Sequence, residues 1–541
     1  MEGAPAHQPA HHFHPSQKLS KIITAVGNFS VQYNFQAIAI ALIIMSQEEC
    51  TSTAANCRQG KQDSWVSAAS SSVVFAGAIF GQCGMGYLGD ALGRDQAMTI
   101  TLALASLGAM LSAVLSIDST QPTFTYVSIV VSRFLLGIGL GGVYPLSATK
   151  AAEDGADDDA HEAAGIDAGG ESVDSTASAK AFFWQAPGAM APWALAYLLT
   201  YCPDLSTDTR WRLLLGLGAV PAAAVALLSY IETRAKEKMR DSQLSLLLLG
   251  GGGDKWVLSA LQGLRGMDLQ QQQQQQHWLD AGGGGGGGAD AASRSSRLSL
   301  RLSQASLASA DLLQSRELRN SAVGIGLINT NTLLLDRLQQ WEYQSKLLAT
   351  GGGWFLYDVA FYGVNLFGGS ILEAINNSTD DNVSSVSSVR LVAGQELLAM
   401  GMGIPACILT ILLLKRVGTK ALQVWGFVLI AAMFVLLAAL FEPLKYSSPQ
   451  GLFAVYCALL FSLSFGPNVT TYVLPAETYP KEVRATFNGI SAAMGKLGAV
   501  MGASLFKVIA EATSYPFIML LCASLSILGA LLSWRFVQAS R

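Results

Sequence analysis

Charge is scarce in this sequence. Only 13% of its 541 residues are charged and 51% are hydrophobic, whereas soluble domains carry about 25% charged residues. The charges lie between apolar runs of about 20 residues, the length that crosses a ~30 Å hydrocarbon core. The net charge of −4 gives no support for a nucleic-acid partner. The composition excludes an ordinary soluble domain and predicts an integral, multi-pass protein surrounded by the lipid bilayer.

The sequence also lacks the residue groupings on which catalysis depends. No nucleophile paired with a base, cluster of metal ligands or phosphate-binding loop accompanies the apolar runs. We therefore expect a protein that is not an enzyme and that holds neither a cofactor nor a metal ion. The seven cysteines have no metal-ligand spacing. Cys50 and Cys57 share one predicted loop, where they form either a disulfide or two free thiols.

Apolar windows are abundant and fall into two sets of six. The predicted fold class is an all-α membrane protein with twelve transmembrane helices, divided into an N-terminal bundle, 22–231, and a C-terminal bundle, 347–537. The windows of the first bundle are 22–44, 65–87, 96–116, 125–147, 181–200 and 212–231. The windows of the second bundle are 347–367, 392–414, 419–440, 452–475, 485–508 and 514–536.

Three polar or low-complexity stretches separate these windows. They are a tail, 1–21, an acidic insert, 152–179, and a linker, 232–346, that contains runs of glutamine and glycine. Such compositions cannot bury a hydrophobic core, so the tail and the linker are predicted to be disordered and the insert to be a solvated loop. Basic residues flank the first and sixth windows, which predicts that the tail and the linker are cytosolic.

The loop after the seventh window then faces the opposite side of the membrane. N-glycosylation requires that side, so acceptor sequons in this loop agree with the predicted orientation. We expect the protein to reside in the plasma membrane. The three sequons begin at Asn376, Asn377 and Asn382.

The loop after the second window has a distinctive pattern, GYLGDALGRD, at residues 86–95. It resembles the loop signature of the major facilitator superfamily, and residues 411–427 resemble its degenerate counterpart in the second bundle. The resemblance implies two pseudo-symmetric six-helix bundles. Asp90 and Arg94, spaced i,i+4, are expected to gate conformational change at the cytosolic face; the alternative is a turn with a structural role only.

Longer segments resemble one family within that superfamily, the plant and fungal proton-coupled inorganic phosphate transporters. The similar segments cover most of the membrane portion and occur in the family's order. They are 133–153, 211–235, 354–367 and 466–500.

The seventh window contains a carboxylate, Asp358, near its middle. A charge at mid-membrane costs several kcal/mol unless it faces a cavity or a partner, so Asp358 is a functional residue by default. Trp354, Asp358 and Tyr362 are spaced i, i+4, i+8 and share one helical face. That face offers an indole N–H, a carboxylate and a phenol.

The family resemblance implies that this face lines a central phosphate site. An aspartate there accepts hydrogen bonds from the hydroxyls of dihydrogen phosphate, which sulfate lacks, so it favours phosphate. Lys496 either offsets the charge of the anion or extends to the membrane surface. The implied site comprises Tyr144, Gln185, Trp354, Asp358, Tyr362, Asn468 and Lys496.

Proton coupling needs a group that can gain and lose a proton. The family carries acids at three positions where this chain has Val31, Asn34 and Val143. Asp358 is then expected to titrate, alone or with the proton of phosphate; otherwise another ion, or none, is coupled. Arg133 is either close to the coupling groups or a cation that extends to the surface.

The resemblance implies a transporter that carries inorganic phosphate inward by alternating access, with protons as co-substrate. Two alternatives remain at this stage. The first is a carrier of another anion or an organic solute, with a different coupling ion or none. The second is a phosphate sensor on the same fold that does not transport.

Overall fold

The computed structural model describes residues 15–48, 64–115, 122–162, 173–202, 204–249, 330–364 and 385–538. The predicted cysteine loop, the three sequons and the central part of the linker lie outside these residues. Contacts assign Met1–Thr233 and Gly326–Arg541 to one unit, which contains both bundles. A second unit, Arg234–Ile325, is described only as far as Leu249.

The described chain is helical throughout both bundles. The N-terminal half comprises α1 Pro15–Glu48, α2 Ser64–Leu92, α3 Arg94–Val114, α4 Pro122–Glu162, α5 Ser175–Phe183, α6 Gln185–Leu199, α7 Thr207–Leu217 and α8 Ala219–Leu249. The C-terminal half comprises α9 Trp341–Leu347, a π-helical turn Leu348–Gly352, α10 Gly353–Gly363, α11 Ser385–Gly401, α12 Gly403–Val417, α13 Thr419–Ser447, α14 Pro449–Ser464, α15 Pro467–Thr478, α16 Arg484–Ala512 and α17 Tyr515–Phe536.

Ten helical segments of the described chain are long and apolar enough to cross a membrane. They match ten of the twelve predicted windows. The other two windows, 181–200 and the described part of 347–367, contain shorter helices. A break at Trp184 separates α5 from α6, and the π-helical turn separates α9 from α10. Local breaks of this kind are common where membrane helices bend around a site.

The structure departs from the predicted domain boundaries because the helices continue beyond their apolar windows. Helix α4 extends to Glu162, well into the predicted acidic insert. Within that extension Lys150 forms ion pairs with Asp154 on the same helix and with Asp95 of α3. These acidic residues are therefore ordered by a buried cation. Helix α8 likewise continues past 232 into the predicted linker, and residues 330–339 are helical.

The two halves repeat one backbone feature at corresponding positions. Gly93, between α2 and α3, has φ 99° and ψ 150°, and Gly418, between α12 and α13, has φ 84° and ψ 154°. Both lie in the left-handed half of the φ range, which residues with a Cβ rarely adopt. The match supports the predicted relation between the segments 86–95 and 411–427.

Replacing Gly93 by alanine is expected to lower the stability of the folded protein by about 1–2 kcal/mol, because the added Cβ disfavours a positive φ. Thermal unfolding of the purified protein, followed by tryptophan fluorescence, measures the change. Gly84→Ala is the matched control, since Gly84 is helical and its Cβ would meet nothing within 4 Å. Equal unfolding temperatures for the two variants would contradict the expectation.

The two halves contact each other at both ends of the molecule. At one end, here called the Asp90 end, α2 and α16 lie so close that a Cβ on Gly489 would be 2.0 Å from the Gln82 carbonyl oxygen. At the other, the Arg390 end, α11 packs on α6, and the Arg390 guanidinium lies 4.1 Å from the Tyr201 ring centroid. The residues between these contacts are enclosed from both ends.

Candidate functional site

A buried ion pair occupies the region between the two closed ends. Asp358 of α10 is 3% exposed and Lys496 of α16 is 2% exposed. The Lys496 Nζ lies 3.3 Å from the Asp358 Oδ2 and donates to the Tyr362 hydroxyl at 3.2 Å. Each charge compensates the other, which is what permits both to be buried.

Glycines on α16 bring these two helices together. A Cβ on Gly498 would lie 2.3 Å from the carbonyl oxygen of Phe355, and one on Gly502 would lie 2.3 Å from that of Val359. Residues without side chains allow membrane helices to approach at backbone contact distance. The neighbouring Gly495 faces the Trp354 indole in the same way. This close packing sets Lys496 beside Asp358.

Aromatic rings from the N-terminal half surround the lysine. The Lys496 Nζ lies 5.7 Å from the ring centroid of Phe35 on α1, 5.9 Å from that of Phe75 on α2 and 5.2 Å from that of Tyr144 on α4. Ring faces attract cations at these distances. The charged pair of the C-terminal half therefore lies directly against the N-terminal half.

A chain of amide and hydroxyl groups continues from Tyr144 into the N-terminal half. The Gln32 Nε2 donates to the Tyr144 hydroxyl at 3.3 Å and to the Gln185 Oε1 at 2.9 Å. The Gln185 Nε2 donates in turn to the Asn28 Oδ1 at 2.8 Å. Asn28 then donates to the Tyr472 hydroxyl at 3.3 Å, which returns the chain to the C-terminal half at α15. These groups form a neutral polar wall beside the charged pair.

The structure brings together most of the site residues that the sequence analysis named. Trp354 lies one helical turn before Asp358 on α10, and its ring centroid is 6.2 Å from that of Tyr144. Gln185 joins the group through Gln32. Asn468 does not join it: this residue is half-buried at the start of α15, and its side chain forms no hydrogen bond with any residue described.

The structure decides between the alternative positions stated for Lys496 and Arg133. The expectation that Lys496 extends to the membrane surface is wrong, because its amine is paired with Asp358 in the interior. The same expectation is wrong for Arg133, which is 1% exposed. The Arg133 Nη2 donates to the backbone oxygen of Asn34 at 2.8 Å, and no described ion pair includes this guanidinium. Arg133 belongs to the α1–α4 contact rather than to the charged pair.

Val31, Asn34 and Val143 occupy the three positions at which the phosphate transporter family has acids, and all three are packed as neutral residues. Val31 and Val143 lie in the hydrophobic core. The Asn34 amide donates to the backbone oxygen of Gly218 at 3.0 Å and to that of Ser30 at 2.9 Å. None of these side chains can exchange a proton in the physiological range.

Three residues of the polar wall were missed from sequence: Asn28, Gln32 and Tyr472. Asn28 and Gln32 are spaced i,i+4 within the first apolar window, the same signal that identified the Asp358 face. Polar residues that repeat at helical spacing inside a span face protein rather than lipid. The signal for Tyr472 is weaker, because tyrosine is also frequent at sites that pack apolar side chains.

The predicted gating pair lies at the Asp90 end and joins the two halves. The Arg94 Nη1 donates to the Asp90 Oδ1 at 2.6 Å. Asp90 also accepts from the Thr486 backbone N–H at 2.7 Å, from the Thr486 hydroxyl at 2.5 Å and from the Ala485 N–H at 3.1 Å. The carboxylate therefore caps the start of α16, where a helix favours negative charge.

A second acid also connects the two halves at the Asp90 end. Glu153 of α4 accepts from Arg94 at 3.1 Å and from Arg484 of α16 at 2.9 Å. The Arg94 Nη2 also donates to the Lys481 carbonyl oxygen at 2.7 Å. Breaking the contacts at the Asp90 end thus requires several charged hydrogen bonds to separate together.

Comparisons with known proteins agree with this architecture. The chain is 31% identical over 523 residues to the inorganic phosphate transporter PT2 of Toxoplasma gondii, covering 96% of this chain and 72% of that protein. It is 30% identical over 462 residues to the inorganic phosphate transporter 1-6 of Oryza sativa, covering 82% of this chain and 74% of that protein.

Solved structures show the same fold. The major facilitator superfamily proton:xylose symporter XylE, bound to a bromo-glucose analogue, superposes with a TM-score of 0.61 at 16% identity, covering 97% of this chain and 96% of XylE. A partially occluded, inward-open structure of XylE from E. coli gives a TM-score of 0.57 at 15% identity.

The family comparison covers most of both halves. Residues 21–165 and 364–540 match the family described as sugar (and other) transporter. Together with the 31% identity to the Toxoplasma gondii relative, the match establishes membership. The chain therefore belongs to the sugar (and other) transporter family, and it is an integral, multi-pass membrane protein with the major facilitator fold.

Proposed function

We propose that the protein carries inorganic phosphate across the membrane by alternating access. The observation that carries this proposal is the buried Asp358–Lys496 pair, which lies between two halves closed at both ends. Both relatives described above are named inorganic phosphate transporters. An ion pair enclosed at the interface of two repeats is suited to an anion that enters from one side and leaves from the other.

The chemistry of the pair fits dihydrogen phosphate. Lys496 supplies the positive charge that the anion needs, and Asp358 accepts a hydrogen bond from a phosphate hydroxyl. The indole N–H of Trp354 and the hydroxyls of Tyr144 and Tyr362 donate to the remaining oxygens. In this proposal Gln185 supports Tyr144 through Gln32, and Asn468 turns toward the anion only when it is bound.

We further propose that protons accompany phosphate. Phosphate is an anion, and co-transport of protons reduces the charge that must move against a membrane potential. XylE, with the same fold, is named a proton:xylose symporter. In the proposal Asp358 exchanges a proton during the cycle, Arg133 keeps α1 packed on α4 while the halves move, and Asp90 and Arg94 hold the Asp90 end closed.

Uptake of radiolabelled phosphate by cells that lack their own phosphate transporters tests the function. We expect accumulation above that of cells with an empty vector, and faster uptake as the external pH falls, because acid raises both the protonated phosphate and the proton gradient. Sulfate is expected not to compete, since it offers no hydroxyl donor.

Three results would contradict parts of this proposal. Binding of phosphate without flux would indicate a sensor. Competition by sugars or organic anions stronger than by unlabelled phosphate would change the substrate. Uptake that ignores pH and follows sodium would change the coupling ion. The plasma membrane is the proposed location, and a fluorescent fusion expressed in its native host tests that.

A further inference from the structure

A second carboxylate lies inside a membrane-spanning segment of the C-terminal half. Glu396 is on α11, in the apolar segment Val389–Val417. It lies seven residues after Val389, which is about 10 Å along the helix from the Arg390 end. No residue in the described ranges forms an ion pair or a hydrogen bond with it. Asp358 and Asp90, by contrast, each have a cation.

The position of Glu396 on its helix directs it away from lipid. Leu398 is 65% exposed and Leu391 is also exposed. Because a residue advances about 100° around a helix, Glu396 is nearly opposite Leu398. Ala393 and Ala399, three residues to either side of Glu396 and therefore on nearly its face, are both buried. Glu396 is itself half-buried, on the side of α11 that faces the protein.

Glu396 lies at a junction between two packed regions. Ala393 belongs to the apolar cluster that closes the Arg390 end together with residues of α1 and α6, whereas Ala399 belongs to the main core that contains Trp354. The carboxylate is therefore set on the boundary between the closed end and the central site. A polar group at this boundary is reached by water when α11 separates from α6.

Among the described residues, no cation forms an ion pair with Glu396. Buried Tyr456 of α14 is close enough to Glu396 for an electrostatic interaction. Arg390, on α11 itself, is directed to Thr200 and Tyr201. The titratable groups on the helices packed against α11 are Lys18, Lys21 and Tyr33 of α1, Tyr197 of α6, Cys407, Lys415 and Arg416 of α12, and Tyr456 and Cys457 of α14. The cations among them lie far from Glu396 along their helices, since Lys18 and Lys21 are in the first two turns of α1 and Lys415 and Arg416 are in the last turn of α12.

We propose that Glu396 is a proton-binding site of the transport cycle, an inference that rests on the proposed function. An ionised carboxylate without a cation or a donor is costly to bury in a membrane, whereas the protonated acid is neutral. When the Arg390 end is open, water reaches Glu396 and the carboxylate is ionised. Before that end closes, the carboxylate takes one proton from the water on that side, which the charge distribution predicts to be the outside. Closure thus carries a proton with the substrate. The proton leaves to the opposite side when the Asp90 end opens and water from the central site reaches the carboxylate.

The test uses the purified full chain in phosphate-loaded lipid vesicles and two assays. Exchange of labelled for unlabelled phosphate at equal pH needs no net proton movement, and accumulation driven by an acidic external pH does. Glu396→Gln mimics the protonated acid and leaves Asp358 as the remaining proton site, so we expect it to retain exchange and to accumulate several-fold less phosphate than the wild type along the pH gradient. Glu442→Gln is the matched control, because Glu442 is exposed near the end of α13; it should retain both activities.

The outcomes separate this inference from the function on which it rests. Absence of phosphate exchange by the wild-type protein would overturn the proposed function. Exchange by the wild type, with Glu396→Gln accumulating as much phosphate as the wild type along the pH gradient, would overturn the role of Glu396 alone. Parallel loss of exchange and accumulation in Glu396→Gln would overturn that role as well, because a proton site is not required for exchange at equal pH.

Discussion

The Asp358→Asn variant is expected to take up phosphate at less than about one hundredth of the wild-type rate. The asparagine amide presents N–H donors where a phosphate hydroxyl needs an acceptor, and it leaves the Lys496 charge without a partner. Breaking a buried ion pair by removing one member costs about 3–5 kcal/mol, and about 1.4 kcal/mol changes a rate tenfold. Initial rates of radiolabelled phosphate uptake, normalised to the amount of protein in the membrane, measure the loss.

A double variant distinguishes loss of function from loss of folding. Asp358→Asn combined with Lys496→Met removes both charges, so neither remains alone in the interior. We expect the double variant to regain thermal stability relative to either single variant but to remain inactive. Asp208→Asn is a control, since the Asp208–Arg212 pair is an i,i+4 contact on α7 with a more exposed carboxylate. Wild-type uptake by Asp358→Asn would refute the assignment of the site.

We expect the second largest loss of phosphate uptake when the contacts at the Asp90 end are weakened. Asp90→Asn removes the charge that Arg94 pairs with and replaces one oxygen that caps α16 by an N–H donor. Hydrogen bonds to charged groups contribute about 1.5–3 kcal/mol each. We therefore expect this end to stay open for a larger fraction of the time, with phosphate uptake reduced about tenfold or more.

Access of a thiol reagent to that end measures the opening directly. Gln82→Cys puts a reporter at a position that is fully buried where α2 meets α16. In inside-out membrane vesicles, labelling of this cysteine by a membrane-impermeant maleimide should be faster in the Asp90→Asn background. The neighbouring exposed Cys83 is replaced by serine in every background. Arg94→Lys keeps the charge but loses the paired donors to Asp90 and Glu153, so an intermediate rate is expected. Equal labelling rates in all backgrounds would contradict a gating role.

Local spacing explains which parts of the site could be predicted. The face shared by Trp354, Asp358 and Tyr362 follows from the period of one helix, and the Asp90–Arg94 contact follows from i,i+4 spacing in one loop. The membrane windows likewise follow from hydrophobicity summed over about 20 residues. These features depend on neighbours in sequence, and the structure has them as expected.

Contacts between distant segments could not be predicted in this way. Asp358 and Lys496 are 138 positions apart, and their proximity depends on glycines of α16 that admit the backbone of α10. The hydrogen bond from Gln32 to Gln185 depends on how α1 packs against α6. The divisions within the spans were also not predicted, because summed hydrophobicity does not detect a helix break at Trp184 or a π-helical turn.

Helix α16 contacts both the Asp90 end and the central site that contains Lys496. Asp90 holds its first turn, and Lys496 lies about 18 Å further along the same helix, at 1.5 Å for each residue. No proline interrupts Arg484–Ala512. A continuous helix is stiff over this length, so any tilt that frees its first turn also shifts the lysine relative to Tyr144 and Gln32. In the proposed cycle, we therefore expect opening of the Asp90 end and release of the substrate to occur together, because one stiff helix contacts both regions.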